Sequence, residues 1–332
     1  MNKRIFANII DELENIKFLS GFNVPITNAK LNFTKQYIEQ LEDKIHRLNE
    51  TQIKDLIANY PKHLPEISKF EKLKSTSFNY ITWRKKTRKS PISFKYYPVV
   101  QIYPSASSIT KTSLKIDLFT AKILDFLELS GFDSRELKNN IINVNINDFY
   151  CLEFPVSKES LIIAGKQNSN FLTLIYFTHE IGHYLFNKYK FKYDLNTNIE
   201  TDEYFAHFFE LWLLKSLLPN KHFDIYINIL SNLLNENLLY TEYQTRIYQK
   251  PLEYQLIKSR EALFRDLERK YKKNHIIDCF KEMTYHPPFF HGIYINAQLN
   301  SLKMSSIPIK IIKKRINVEL QIMKENYINT FN

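Results

Sequence analysis

Asn170 to His183 reads NFLTLIYFTHEIGH. The first eight residues are apolar almost all round, the pattern of a helix entering a protein interior. On such a helix His179 and His183 stand four residues apart, and positions i and i+4 share one face. Both imidazoles can therefore turn a ring nitrogen onto a single metal ion. Glu180, next to the first of them, can reach a water on that metal. Zinc suits such a site, because imidazole nitrogen is a favoured ligand and three protein ligands leave one position open. Gly182 weakens the helix but lets another backbone or a substrate come close.

Two histidines leave the site one ligand short. After His183 the chain passes polar turn residues at Asp194 to Asn198, and a second helix then starts around Glu200, with Thr201 a fair N-cap. Glu203, His207 and Glu210 recur at i, i+4 and i+7 in an otherwise apolar helix, so they form a polar stripe that needs a polar partner. Glu203 is the expected third ligand, with His207 and Glu210 orienting the metal histidines from behind. Glu200 and Asp202 are the competitors; acids at a helix start also have a dipole reason to be there. Ten residues past His179 the chain has Tyr189, not the third histidine of the metzincin pattern.

HEIGH followed by Glu203-x6-Glu210-x-Trp212 resembles the thimet oligopeptidase and oligoendopeptidase F family of zinc peptidases. The resemblance implies a gluzincin-type metallopeptidase holding one Zn²⁺ per chain through His179, His183 and Glu203, with Glu180 as the catalytic base. Upstream, Ser160 to Gly165 is similar to that family's edge strand, which assigns substrate binding to Leu161, Ile162, Ile163, Ala164 and Gly165. Downstream, Tyr285 to Gln298 (YHPPFFHGIYINAQ) is similar to its C-terminal segment. That similarity makes His286, His291 and Tyr294 the donors to the substrate carbonyl and oxyanion. Departures are a shorter stretch between His183 and Glu203, Phe205–Ala206 where the family has proline–serine, Asn296 where it has tyrosine, and a much shorter chain.

A rival resemblance joins HEIGHYLF and Leu217-Leu218-Pro219 to the ImmA/IrrE regulatory metallopeptidases, which cleave a specific protein such as a repressor. That reading gives the segment from His286 to Tyr294 no role. A third possibility is an inactive zincin scaffold serving as a nucleic-acid or partner-binding module.

Composition sets wider bounds. A length of 332 residues can bury a substantial core, and 44% hydrophobic content is ordinary for a soluble protein. Cys151 and Cys279 are the only cysteines, so a disulfide framework is not expected and a reducing, cytoplasmic setting is. Met1 to Leu19 carries Asp11, Glu12 and Glu14 where a secretory segment is uncharged, and no stretch reads as a membrane span. Part of the +11 net charge lies in Arg84 to Lys89, read as a solvated loop; a peptide substrate is the expected partner rather than nucleic acid.

Residues 2–18 and 28–59 read as helices, and Pro91 to Tyr103 has β-like composition. A helix over 111–130 stopped by Gly131, a β-rich stretch from Ile141 to Gly165, and helices over 222–239, 241–273 and 308–326 complete the pattern. The order predicts an α+β fold, predominantly α-helical, with a zincin-like unit, a small sheet and a helical N-terminal region. The weakly marked boundary divides residues 1–90 from 91–332.

Overall fold

The structure is a computed structural model that describes residues 116–144, 149–155, 158–165, 171–250, 253–254, 256–271, 273 and 291–331. The expected N-terminal helices, the boundary near residue 90, the basic run Arg84 to Lys89, the stretch Pro91 to Tyr103, Cys279 and His286 lie outside the described residues.

The described chain is α+β and mostly helical, with one three-stranded sheet. Helix α1 (Ile116–Leu129) ends before Gly131, whose φ of +87° suits a residue without Cβ. Helix α2 (Ser134–Asn139) starts where the Asp133 carboxylate accepts the backbone N–H groups of Arg135 and Glu136. Strands β1 (Ile141–Val144), β2 (Phe149–Phe154) and β3 (Glu159–Gly165) follow. Strand β3 lies in the middle, parallel to β1 (Ile141 opposite Ile162) and antiparallel to β2 (Phe149 opposite Ala164).

Helix α3 (Phe171–Tyr193) packs one side on β2 and β3 and the other on α4 (Ile199–Leu217). It stops at Asp194, which takes a left-handed φ of 53°, while the Leu195 N–H closes back onto the Lys190 carbonyl at 2.9 Å. The cap of α4 is Asn198, whose side chain accepts the Thr201 N–H at 2.9 Å. The helix therefore begins three residues earlier than a Thr201 cap predicts, because the asparagine carbonyl competes well for the orphan donors of the first turn.

Every residue of α4 from Phe205 to Leu214 is buried, which makes this helix the centre of the domain. Helix α3 lies against one flank. Trp212 packs against Phe126, Phe132 and Phe209. Helices α7 (Gly292–Met304) and α8 (Ile309–Phe331) close further sides; α5 (Asn220–Gln249) supports α7, and α6 (Ile257–Tyr271) packs on α5. Each large apolar side chain removed from water contributes about 1.5–3 kcal/mol. Between α5 and α6 the helix break falls after Gln249 rather than at residue 240, since Leu238 to Tyr243 are all buried in one continuous helix. No helix among the described residues is long and apolar enough to cross a membrane.

Candidate metal centre

The two central helices meet at Gly182. A Cβ there would lie 2.4 Å from the Ala206 carbonyl oxygen, so the backbones of α3 and α4 are in direct contact. Gly182 sits beside His183, and Ala206 is three residues past Glu203, so this contact sets the imidazole pair against that carboxylate. Glu203 Oε2 is 3.2 Å from His179 Nε2 and 3.6 Å from His183 Nε2. Donor atoms of His179, His183 and Glu203 all lie within 4.8 Å of one another, so these three residues could hold a metal ion.

Burial favours the neutral form of Glu203, but His183 and His179 outweigh it and hold the carboxyl far below its usual range. His179 moves the other way. Burial disfavours its charge, yet hydrogen bonds to Glu203 and Glu210 keep its pKa well above that of a free imidazole. In the metal-free protein the two carboxylates thus favour the charged imidazole, with one ring nitrogen facing each of them.

The second of those contacts reaches inward. His179 Nδ1 is 2.8 Å from Glu210 Oε2, and Glu210 is only 2% exposed against 15% for the His179 side chain. His207 Nδ1 also lies 2.8 Å from that oxygen, off the line of a standard hydrogen bond, with its ring 4.5 Å from that of His179. Burial raises the Glu210 pKa, but His207 and His179 bring it down to about 2. The polar stripe on α4 thus has its polar partner on α3.

Glu180 is raised above the usual carboxylate range, chiefly by burial; His183 and His179 oppose that shift and Glu203 adds to it. The Cys151 backbone on β2 adjoins the Glu180 carboxylate and adds a small opposing shift. Tyr294, on α7, faces Glu203 and Glu180; burial and these two carboxylates push its hydroxyl pKa far up. His291 is turned elsewhere. Its ring packs 4.7 Å from Tyr240 and its Nδ1 is 3.1 Å from Asn237 Oδ1, both on α5.

The edge-strand expectation needs correcting. Leu161 to Gly165 belong to β3, the central strand, and Ile162, Ile163 and Ala164 are paired on both sides. A doubly paired strand has no free backbone groups to offer. Among the described residues β1 and β2 each have an open side, and of the two it is β2 whose Cys151 backbone adjoins Glu180.

Sequence reading also missed Lys190. Its ammonium, 3% exposed, sits 2.7 Å from Glu153 Oε2 of β2 and 3.2 Å from Asp202 Oδ2 of α4. Burial lowers its pKa, but Asp202 and Glu153 more than restore it. This ion-pair cluster occupies Asp202. Neither Asp202 nor Glu200 belongs to a group of converging metal donors among the described residues. A lysine one turn beyond Phe186, on a helix otherwise buried there, was the only available signal.

No protein-family model matches this sequence, and none of the curated proteins matches it. Among solved structures, the fold is similar to PZ peptidase A with an inhibitor, with a TM-score of 0.54 at 16% identity over 84% of this chain and 52% of that one. A structure titled as an oligoendopeptidase F aligns with a TM-score of 0.44 at 15% identity over 66% of this chain and 49% of that one. The chain spans about half the length of these two proteins, and the likeness is one of fold.

Proposed function

We propose that the protein is a zinc-dependent metallopeptidase that hydrolyses peptide bonds in short peptides. The observation that carries this reading is the convergence of two imidazoles and Glu203, with Glu180 and Tyr294 beside them. Donor spacing fits the metal. Around a tetrahedral ion with bonds of about 2.0–2.1 Å, neighbouring donors sit about 3.3 Å apart. The His179–Glu203 and His183–Glu203 separations of 3.2 and 3.6 Å straddle that value. Zn²⁺ held by His179, His183 and Glu203 would supply Lewis acidity to a water and to the scissile carbonyl.

The chain's own groups do the rest. Glu180 takes a proton from the attacking water and passes it to the leaving amine as the C–N bond breaks. Its raised pKa brings it nearer to neutral pH, where a base can both accept and return a proton. Tyr294 keeps its proton at any working pH and donates a hydrogen bond to the developing oxyanion. Glu210 holds the Nδ1 proton of His179, leaving Nε2 as the ligand atom. The open side of β2, rather than β3, takes the extended main chain of the substrate. The similarity in fold to PZ peptidase A supports this reading, and the position of Tyr294 favours it over a regulatory protease that would have no use for that residue.

The test is a peptide-library cleavage assay on the zinc-loaded protein and on Glu180→Gln. That change keeps shape and removes the base, so zinc is retained while turnover falls on the order of 10²–10⁴-fold. Cleavage at equal rates by both proteins would remove Glu180 from the mechanism; no cleavage by either would overturn the peptidase reading.

A further inference from the structure

Helix α7 carries two pairs of polar side chains spaced seven residues apart, Tyr294 with Ser301 and His291 with Gln298. Seven residues make two turns, so the members of each pair share a face of the helix. The first pair is turned to α4. Ser301 Oγ donates to the His207 carbonyl at 3.3 Å, and further along the Lys215 ammonium donates to the Ser305 carbonyl at 2.6 Å. The two helices therefore run side by side in the same direction. Two turns before Ser301, Tyr294 comes level with the first turns of α4, where Glu203 stands one turn before His207.

The second pair is turned to α5, and one side chain binds both of its members. Asn237 donates through Nδ2 to Gln298 Oε1 at 3.0 Å, and its Oδ1 lies 3.1 Å from His291 Nδ1. With Nδ2 the donor, Oδ1 is the acceptor, so the His291 proton sits on Nδ1. The His291 ring also packs 4.7 Å from that of Tyr240, one turn along α5 from Asn237. Gln298 is buried, and so are Leu234 and Leu238 on the turns of α5 around Asn237, so both ends of the clamp are anchored in the core. Tyr294 lies between the two points that Asn237 holds.

We propose that Asn237 is a positioning residue for Tyr294: by binding His291 and Gln298 together, it fixes the place of the Tyr294 hydroxyl beside the metal centre. A helix held at one point can swivel about it. Held at two points about 10 Å apart along its axis, it keeps one rotation and one height. His291, expected from the sequence to reach the substrate itself, thus serves the site through the helix it begins. The inference rests on the reading of the protein as a peptidase with Tyr294 as oxyanion donor. It adds α5, an element outside both metal-bearing helices, to the structure that sets the geometry of the reaction.

The experiment is steady-state peptide hydrolysis by the zinc-loaded full chain for wild type, Asn237→Leu, Asn237→Asp, Tyr294→Phe and the Asn237→Leu/Tyr294→Phe double variant. Calorimetric binding of a phosphinic peptide, a mimic of the tetrahedral transition state, is measured beside it. Misplacing a reacting group by about 1 Å costs on the order of 10²-fold, so Asn237→Leu should lower kcat about 10–100-fold with KM and zinc content nearly unchanged. The phosphinic peptide should bind more weakly by a similar factor. Asn237→Asp should recover most of both losses, because Gln298 can turn its amide and donate to the carboxylate alongside His291. In the Tyr294→Phe background Asn237→Leu should cost nothing further, since the group it positions is gone. A merely structural asparagine predicts otherwise: a lower melting temperature with wild-type kcat in the folded protein, or losses that multiply in the double variant. Either result overturns this proposal and leaves the peptidase reading intact. Wild-type protein that cleaves no peptide overturns that reading, and this inference with it.

Discussion

Gly182→Ala sets two forces against each other whose sizes can be worked out in advance. Helix propensity alone favours alanine by about 0.8–1.0 kcal/mol in a helix interior. The added Cβ, however, would lie 2.4 Å from the Ala206 carbonyl oxygen and 3.0 Å from its carbonyl carbon. Restoring an ordinary contact of about 3.5 Å requires roughly 1 Å of separation between α3 and α4. Neither side yields easily, since Ala206 lies within the fully buried stretch of α4 and Ile181 is itself 0% exposed. Overpacking of this kind costs typically about 1–3 kcal/mol, and a clash with rigid backbone belongs at or above the upper end. The net expectation is a destabilisation of about 2 kcal/mol, or a fall of about 4–8 °C in melting temperature. The same movement carries Glu203 away from the histidines: the 3.6 Å gap to His183 opens toward about 4.6 Å, too far for both to serve one ion. Thermal unfolding of metal-free protein, paired with zinc titration, reads both effects. A Gly182→Ala protein that is more stable than wild type by about the propensity difference, and binds zinc as well, would refute the close approach of the helices.

Three further outcomes follow from the same geometry. Tyr294→Phe should lower kcat by an amount corresponding to roughly 3–4 kcal/mol in steady-state assays, with zinc content unchanged; equal kcat would take Tyr294 out of the reaction. The pH dependence of the metal-free protein has two limbs. His179, raised above its unfolded pKa, contributes stability that is present below about pH 6.5 and lost as pH rises through the folded pKa, whereas Glu203 and Glu210, depressed, contribute stability present above about pH 4.3 and lost in acid, for Glu210 toward about 2. Melting temperature of the metal-free protein should therefore fall on both sides of that window. Zinc uptake at pH 7 should release about one proton, readable by calorimetry in buffers of different ionisation heat. Uptake without proton release would contradict a protonated His179.

How legible all this is in the sequence depends on the range of the interaction. His179, Glu180 and His183 lie within five residues on one helix, so helical geometry places them without knowledge of the fold. The stripe of Glu203, His207 and Glu210 is readable for the same reason: polar side chains repeating inside an apolar helix must find partners. Strand order is not local. A run such as Leu161 to Gly165 looks the same in the middle of a sheet as at its side, and only pairing with both β1 and β2 reveals it as central. Partners far apart in sequence were equally out of reach. Lys190 meets Glu153 across 37 residues, and His291 turns to Asn237 across 54.

Zinc stoichiometry and affinity of the purified full chain, with Glu203→Ala measured beside Glu200→Ala and Asp202→Ala, test the central claim most directly. About one Zn²⁺ per wild-type chain is expected, with strong loss in Glu203→Ala and retention in the other two, because Asp202 is bound to Lys190 and Glu200 is not among the converging donors. Wild-type protein that cannot take up zinc, or a Glu203→Ala protein that holds it as tightly as before, would contradict it.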